Sequence, residues 1–135
     1  ANPLLVRKTA SPGDGVQIGD TVTFTLTLSG GSTMQVRDEL PANVVYVPGS
    51  ITGTVAPAVS FDAGANAITW QGSLLTDTVQ TISYQVSVNG GGLETAAGLP
   101  LVANTAWLTD TAHGMSASST VLVNGIESYL PQIRR

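Results

Sequence analysis

The chain has no cysteine. That excludes disulfides, thiolate nucleophiles and cysteine-bound zinc or iron–sulfur centres. It does not fix the compartment, because a secreted protein can simply lack cysteine. Charge is scarce as well: 10% of the 135 residues are Asp, Glu, Lys or Arg, against about a quarter in an average domain. The basic residues are Arg7, Lys8, Arg37, Arg134 and Arg135. They form no stripe, so nucleic acid is not an expected partner. No apolar run reaches the length of a membrane span. No charged segment followed by an apolar one opens the chain, as a signal peptide would. A 3.6-residue apolar period, the mark of a surface helix, is also missing.

What is present suits one folded domain. The chain is 42% hydrophobic and carries a net charge of −4, enough apolar content for a core without metals or disulfides. Thr, Ser and Gly stand where charge would otherwise be. "DTVTFTLTLSGGS" (20–32) alternates most clearly, with Val22, Phe24, Leu26 and Leu28 on one face and Thr21, Thr23, Thr25 and Thr27 on the other. Period two over that length predicts a half-buried strand, and "SGGS" offers turn residues for a hairpin. The same alternation predicts inward-facing Leu4 and Val6 in 3–8, Met34 and Val36 in 34–38, and Ile68 and Trp70 in 67–72. It also turns inward Ile82, Tyr84, Val86 and Val88 in 81–92, Val102, Ala106 and Leu108 in 101–112, and Val121 and Val123 in 113–125. Shorter strands are expected at 44–47, 50–54 and 58–62. The Gly- and Ala-rich segment 89–100 is expected to be a long loop. Turn signals recur throughout, so the expected fold is an all-β antiparallel sandwich of about seven to nine strands.

Four stretches in order carry a family likeness: "LLVRKTA", "GDTVTFTLTL", "VRDELPANVVYVPGS" and "VANTAWLTD". Together they resemble the DUF11 repeat domain of bacterial and archaeal surface proteins. That pattern runs Lys, Gly-Asp-x-Val-x-Tyr/Phe-x-Leu-x-Val, Asp-x-Leu-Pro, Asn-x-Ala, and the likeness spans roughly residues 4 to 123. This chain departs from it after the second strand, where "SGGST" replaces an Asn-Thr-Gly style turn. The resemblance implies an immunoglobulin-like, Greek-key module that is not an enzyme and needs no cofactor. Such modules act as spacers or accessory domains in larger secreted or cell-surface proteins, proteases among them. The implied partners are the neighbouring domains of the parent chain, and cell-wall glycan or protein if the module is adhesive. Residues 1–124 would form the domain and 125–135 a C-terminal tail. The abrupt start "ANPLLVRK" and the ending "YLPQIRR", similar to tails closing some secreted bacterial proteins, fit a C-terminal module of a longer chain.

Conventional catalytic signatures are thin. The single histidine, His113, lies in "TDTAHGMSAS". No Gly-x-Ser-x-Gly accompanies it, and a turn between the last two strands is the expected setting. Asp38 and Glu39 are adjacent, so on a strand they point to opposite faces and cannot act as a paired acid and base. Asp14, Asp20, Asp62, Asp77 and Asp110 are scattered, without a calcium-loop pattern, and suit turns. Trp70 is expected in the core. Trp107 has the opposite parity to Ala106 and Leu108. It is expected to face outward, either covering a sheet edge or offering a platform for a sugar or protein.

Parity also yields something less ordinary. Lys8 shares a face with Leu4 and Val6, Asp38 with Met34 and Val36, and Asn104 with Val102 and Ala106. Three polar residues on three strands therefore point toward the apolar side, which is costly unless they are paired. Two readings stand. In one, Lys8 pairs with Asp38 or snorkels at a strand end, while Asn104 bonds backbone in a loop. In the other, a neutral Lys8 attacks the Asn104 amide, assisted by a protonated Asp38, to form an isopeptide bond. The order Lys, acid, Asn resembles that of immunoglobulin-like adhesin modules that crosslink themselves.

Overall fold

A computed structural model describes residues 4–13, 15–30, 33–75, 77–89, 94–96, 99–110 and 113–122. They form two antiparallel sheets packed face to face, built from β1 (Leu5–Ser11), β2 (Thr21–Ser29), β3 (Met34–Glu39), β4 (Val44–Tyr46), β5 (Thr52–Gly53), β6 (Ser60–Asp62), β7 (Ala67–Gly72), β8 (Gln80–Val88), β9 (Glu94–Ala96), β10 (Leu99–Thr109) and β11 (Gly114–Leu122). The first sheet runs β1-β2-β8-β4, with β5 also on β8. The second runs β11-β10-β3-β7-β6, with β9 also on β10. The all-β expectation holds, and the strands exceed seven to nine because several are only two or three residues long.

The alternation in the sequence becomes the inside and outside of the sandwich. Val22, Phe24, Leu26 and Leu28 are buried, whereas Thr21 is exposed and Thr23, Thr25 and Thr27 are half-buried. Across the core they meet Met34, Val36, Ile68, Trp70, Val102, Ala106 and Leu108 from the second sheet. Burying one such large side chain stabilises the fold by about 1.5–3 kcal/mol. Trp70 is in the core as expected, and its indole N–H donates to the Pro57 carbonyl at 2.8 Å.

Two local expectations fail. "SGGS" does not close a hairpin: β2 pairs with β1 and β8, whereas β3 pairs with β7 and β10, so the chain changes sheets there. The apolar faces of β2 and β3 oppose each other across the core, and a hairpin would set them side by side in one sheet. The corner is also tight. A Cβ on Gly30 would lie 2.6 Å from Met34 Sδ and 3.0 Å from Leu4 Cδ1. Nor is 89–100 a single long loop, because β9 pairs with the start of β10, Leu99↔Ala96 to Leu101↔Glu94. Its Gly-Ala composition lacks the alternation that would have marked a strand. Val123, the tail 125–135 and the first three residues lie outside the described residues.

The face assignment has a direct test. Leu26→Ala should cost about 2–5 kcal/mol in urea unfolding. Its neighbour Thr27→Ala should stay within about 0.5 kcal/mol.

Candidate functional site

β1 is hydrogen-bonded to β2 with Lys8 opposite Leu26, and β2 to β8 with Phe24 opposite Tyr84. Both Lys8 and Tyr84 therefore face the second sheet. On that sheet Asp38 of β3 is opposite Ala106 of β10. Asn104 lies two residues before Ala106, on the same face and diagonal to Asp38. Four polar side chains thus enter the apolar layer from opposite sides, two from each sheet.

Their tips meet. Lys8 Nζ donates to Asp38 Oδ2 and, at 3.0 Å, to the Tyr84 hydroxyl. The Tyr84 hydroxyl donates to Asp38 Oδ2 at 2.5 Å and accepts from Asn104 Nδ2 at 2.8 Å. Lys8 Nζ also lies over the Phe24 ring, 4.6 Å from its centroid. The Lys8 and Asp38 side chains are 0% exposed, so Lys8 does not snorkel. Asn104 sits within β10 and bonds a side chain, so it is not a loop residue bonding backbone. Two oxygens of this cluster, Asp38 Oδ1 and Asn104 Oδ1, are buried without a hydrogen-bond partner. So is the hydroxyl of Ser119, which stands opposite Asn104 on β11. A buried orphan acceptor costs about 1–3 kcal/mol.

Electrostatics push the pair toward its uncharged form. Burial pulls the Lys8 ammonium below its ordinary pKa, against the opposing charge and hydrogen bond of Asp38. Burial raises the Asp38 carboxyl above its ordinary value, against Lys8 and the hydrogen bonds from Tyr84 and Asn104. The Tyr84 phenol is raised too, by burial first and then by the neighbouring Asp38 charge. Desolvation thus outweighs mutual attraction, as is common for buried ion pairs. The arrangement brings together an amine that loses its proton readily, an acid that keeps its own, and a primary amide.

Tyr84 was not among the polar candidates. Its parity marks it inward, but an aromatic ring in an alternating strand reads as core packing, and nothing in "TISYQV" reports the hydroxyl.

The remaining candidates lie elsewhere. Glu39 faces away from the core and its carboxylate accepts from Arg37 Nε at 2.8 Å in solvent. His113 is 75% exposed on the β10–β11 turn, with Nδ1 3.5 Å from Asp110 Oδ1. Asp62 accepts from the backbone N–H groups of Gly64 and Ala65, and Asp20 from that of Gln17, as turn acids do. Among the described residues no group of three or more His, Asp or Glu side chains could hold a metal ion. Trp107 faces outward and is 56% exposed. It covers no edge, since β10 lies between β11 and β3. It lines an open groove of about 400 Å³ with Arg37, Glu39, Leu40, Pro41, Ala103 and Thr105.

No family model and no curated protein matches the chain. Solved structures do match in fold. The N-terminal domain of a Streptococcus gordonii adhesin superposes with a TM-score of 0.67 at 11% identity, over 87% of this chain and 32% of that one. The major pilin subunit BcpA of Bacillus cereus gives 0.62 at 11% identity, over 90% and 40%. A collagen-binding domain from a Staphylococcus aureus adhesin gives 0.59 at 12% identity, over 90% and 99%. Against the first matches the chain spans only about a third to a half of the partner's length, 47% and 32%. The expected immunoglobulin-like sandwich is therefore the fold found.

The raised Asp38 pKa sets the sign of a pH dependence. Its contribution to stability is complete below the ordinary value of 3.8 and is lost as pH rises through the higher folded value. In Lys8→Met the counter-charge is gone, and burial is opposed only by the hydrogen bonds from Tyr84 and Asn104. Lys8→Met should therefore lose stability relative to Lys8→Met/Asp38→Asn as pH rises above 3.8 in urea unfolding. A difference that is flat, or that moves the other way, contradicts the assignment.

Proposed function

We propose that this domain is a non-catalytic, load-bearing module of a secreted or cell-surface bacterial protein, of the DUF11 repeat type, and that a Lys8–Asn104 isopeptide bond ties its two sheets together. The observation that carries this reading is the buried cluster, in which the Lys8 amine and the Asn104 amide each lie within 3.0 Å of one phenol oxygen, beside the Asp38 carboxyl. A core needing only apolar contacts has no use for four polar tips in its midplane. The fold likeness to adhesin and pilin domains supports the surface setting.

The chemistry balances within the cluster. Lys8 passes its extra proton to Asp38 and attacks Asn104 Cγ as the neutral amine. The Nζ–Cγ bond forms and the Cγ–Nδ2 bond breaks. The lysine nitrogen gives up one more proton, and the amide nitrogen leaves as ammonia. A proton kept on the Asp38 carboxyl beside Asn104 would polarise the amide carbonyl as Lys8 attacks. Low local dielectric strengthens each of these interactions.

The bond would join β1 in one sheet to β10 in the other. Tension from neighbouring domains would then pass through Lys8 and Asn104 and bypass residues 9–103. Closing a loop of that size adds about 4–5 kcal/mol on the chain-entropy account of crosslinks.

A second reading rests on the exposed Trp107 in its groove: an adhesive module that docks glycan or protein. A glycan-array or pull-down signal that disappears in Trp107→Ala would establish it.

Intact mass tests the main reading. The purified domain should be lighter than its sequence by one ammonia, and Lys8→Ala, Asp38→Asn and Asn104→Ala should each have full sequence mass. Lys8→Ala should also melt roughly 10–20 °C lower. Full sequence mass in the unaltered domain would sink the crosslink.

A further inference from the structure

Formation of the crosslink leaves one step without an obvious agent. After attack, the surplus proton is on the lysine nitrogen, whereas the nitrogen that must leave is the amide one. An amide anion is far too basic to depart, so Asn104 Nδ2 has to be protonated before its bond to Cγ breaks. Both nitrogens are then on the same tetrahedral carbon. Direct transfer between them would pass through a four-membered ring, which is badly strained.

Resting on the Lys8–Asn104 crosslink proposed above, we propose that the Tyr84 hydroxyl relays this proton. It would take a hydrogen from Lys8 Nζ while giving its own to Asn104 Nδ2. Nζ, hydrogen, oxygen, hydrogen, Nδ2 and Cγ then close an unstrained six-membered ring. Tyr84 ends unchanged, the new amide keeps one hydrogen on Nζ, and ammonia leaves with three. The contacts are in place for this. One phenol oxygen accepts from Lys8 Nζ at 3.0 Å and from Asn104 Nδ2 at 2.8 Å, and donates to Asp38 Oδ2 at 2.5 Å. When Asp38 holds a proton of its own it no longer needs the phenol hydrogen, and rotation about the C–O bond turns that hydrogen toward Nδ2. Once attacked, that nitrogen is pyramidal and has a lone pair to receive it.

Packing alone does not require a hydroxyl here. The facing residue on β2 is Phe24, whose ring centroid is 5.6 Å from that of Tyr84. A second phenylalanine would fill the same space without a buried hydroxyl to satisfy. The hydroxyl is also held neutral, since burial and the Asp38 charge both raise its pKa. It can therefore donate and accept without ionising.

Freshly made protein from cell-free synthesis, followed by intact mass after folding is complete, tests the relay. Tyr84→Phe should lose ammonia at least tenfold more slowly than the unaltered domain, with the same circular dichroism spectrum. In mixtures of H₂O and D₂O the rate of the unaltered domain should fall along a curve, because two protons move together. The curvature should be lost in Tyr84→Phe, because a shuttle through the Asp38 carboxyl would bow the plot with or without the hydroxyl. If the unaltered domain never loses ammonia, the crosslink itself is wrong and the relay falls with it. If it does lose ammonia, an equal rate in Tyr84→Phe overturns the relay alone, as does a straight isotope plot.

Discussion

The domain is organised around the desolvation of one lysine and one aspartate. Water cannot reach either side chain, and the core around them is hydrocarbon. Such a pair persists only if its remaining hydrogen-bonding capacity is met or its charges are surrendered. Here Tyr84 meets part of it and is itself held by Asn104, and the pKa directions of both partners run toward surrender. The same burial that makes the cluster expensive would serve the proposed crosslink, because it pulls the Lys8 pKa down and pushes the Asp38 pKa up. Stability and chemistry are thus linked through one cause.

The sandwich supplies the geometry. Lys8 and Tyr84 belong to strands separated by β2, so the lysine stem must lie across Phe24 to reach the phenol. Asp38 and Asn104 are diagonal neighbours on β3 and β10. None of these four is near another in the chain, and apart from Gln80 at the start of β8 the other inward residues of their strands are apolar side chains. Rigid strands aim side chains more tightly than loops do. The two sheets can therefore present four tips to one point. A covalent tie at that point would connect an outer strand of one sheet to a strand beside the outer strand of the other.

Much of this was legible in the sequence because a strand exposes its alternation directly. "TVTFTLTL" shows its two faces letter by letter, and the inward parity of Lys8, Asp38 and Asn104 follows from the same count. The split of "RDELPAN" into a buried Asp38 and a solvated Glu39 needed nothing more than period two. Other features depend on information that alternation does not carry. Which sheet a strand joins is settled by the opposition of apolar faces across the core, so "SGGS" looked like a hairpin and proved to be a crossing. β9 lacks alternating side chains in a Gly-Ala segment and is held by backbone pairing with β10. Tyr84 hid behind its own ring, since its inward position was plain and its polar atom was not. Parity alone places Trp107 outward, whereas its strand's position between β11 and β3, which removes the edge-covering role, is not written in the alternation.

Stretching single molecules of the domain, held by its two ends, puts the central claim to the most direct test. The account predicts that residues 9–103 contribute no length when the fold ruptures, because Lys8 and Asn104 stay joined. A rupture that releases the contour of the whole chain would contradict it.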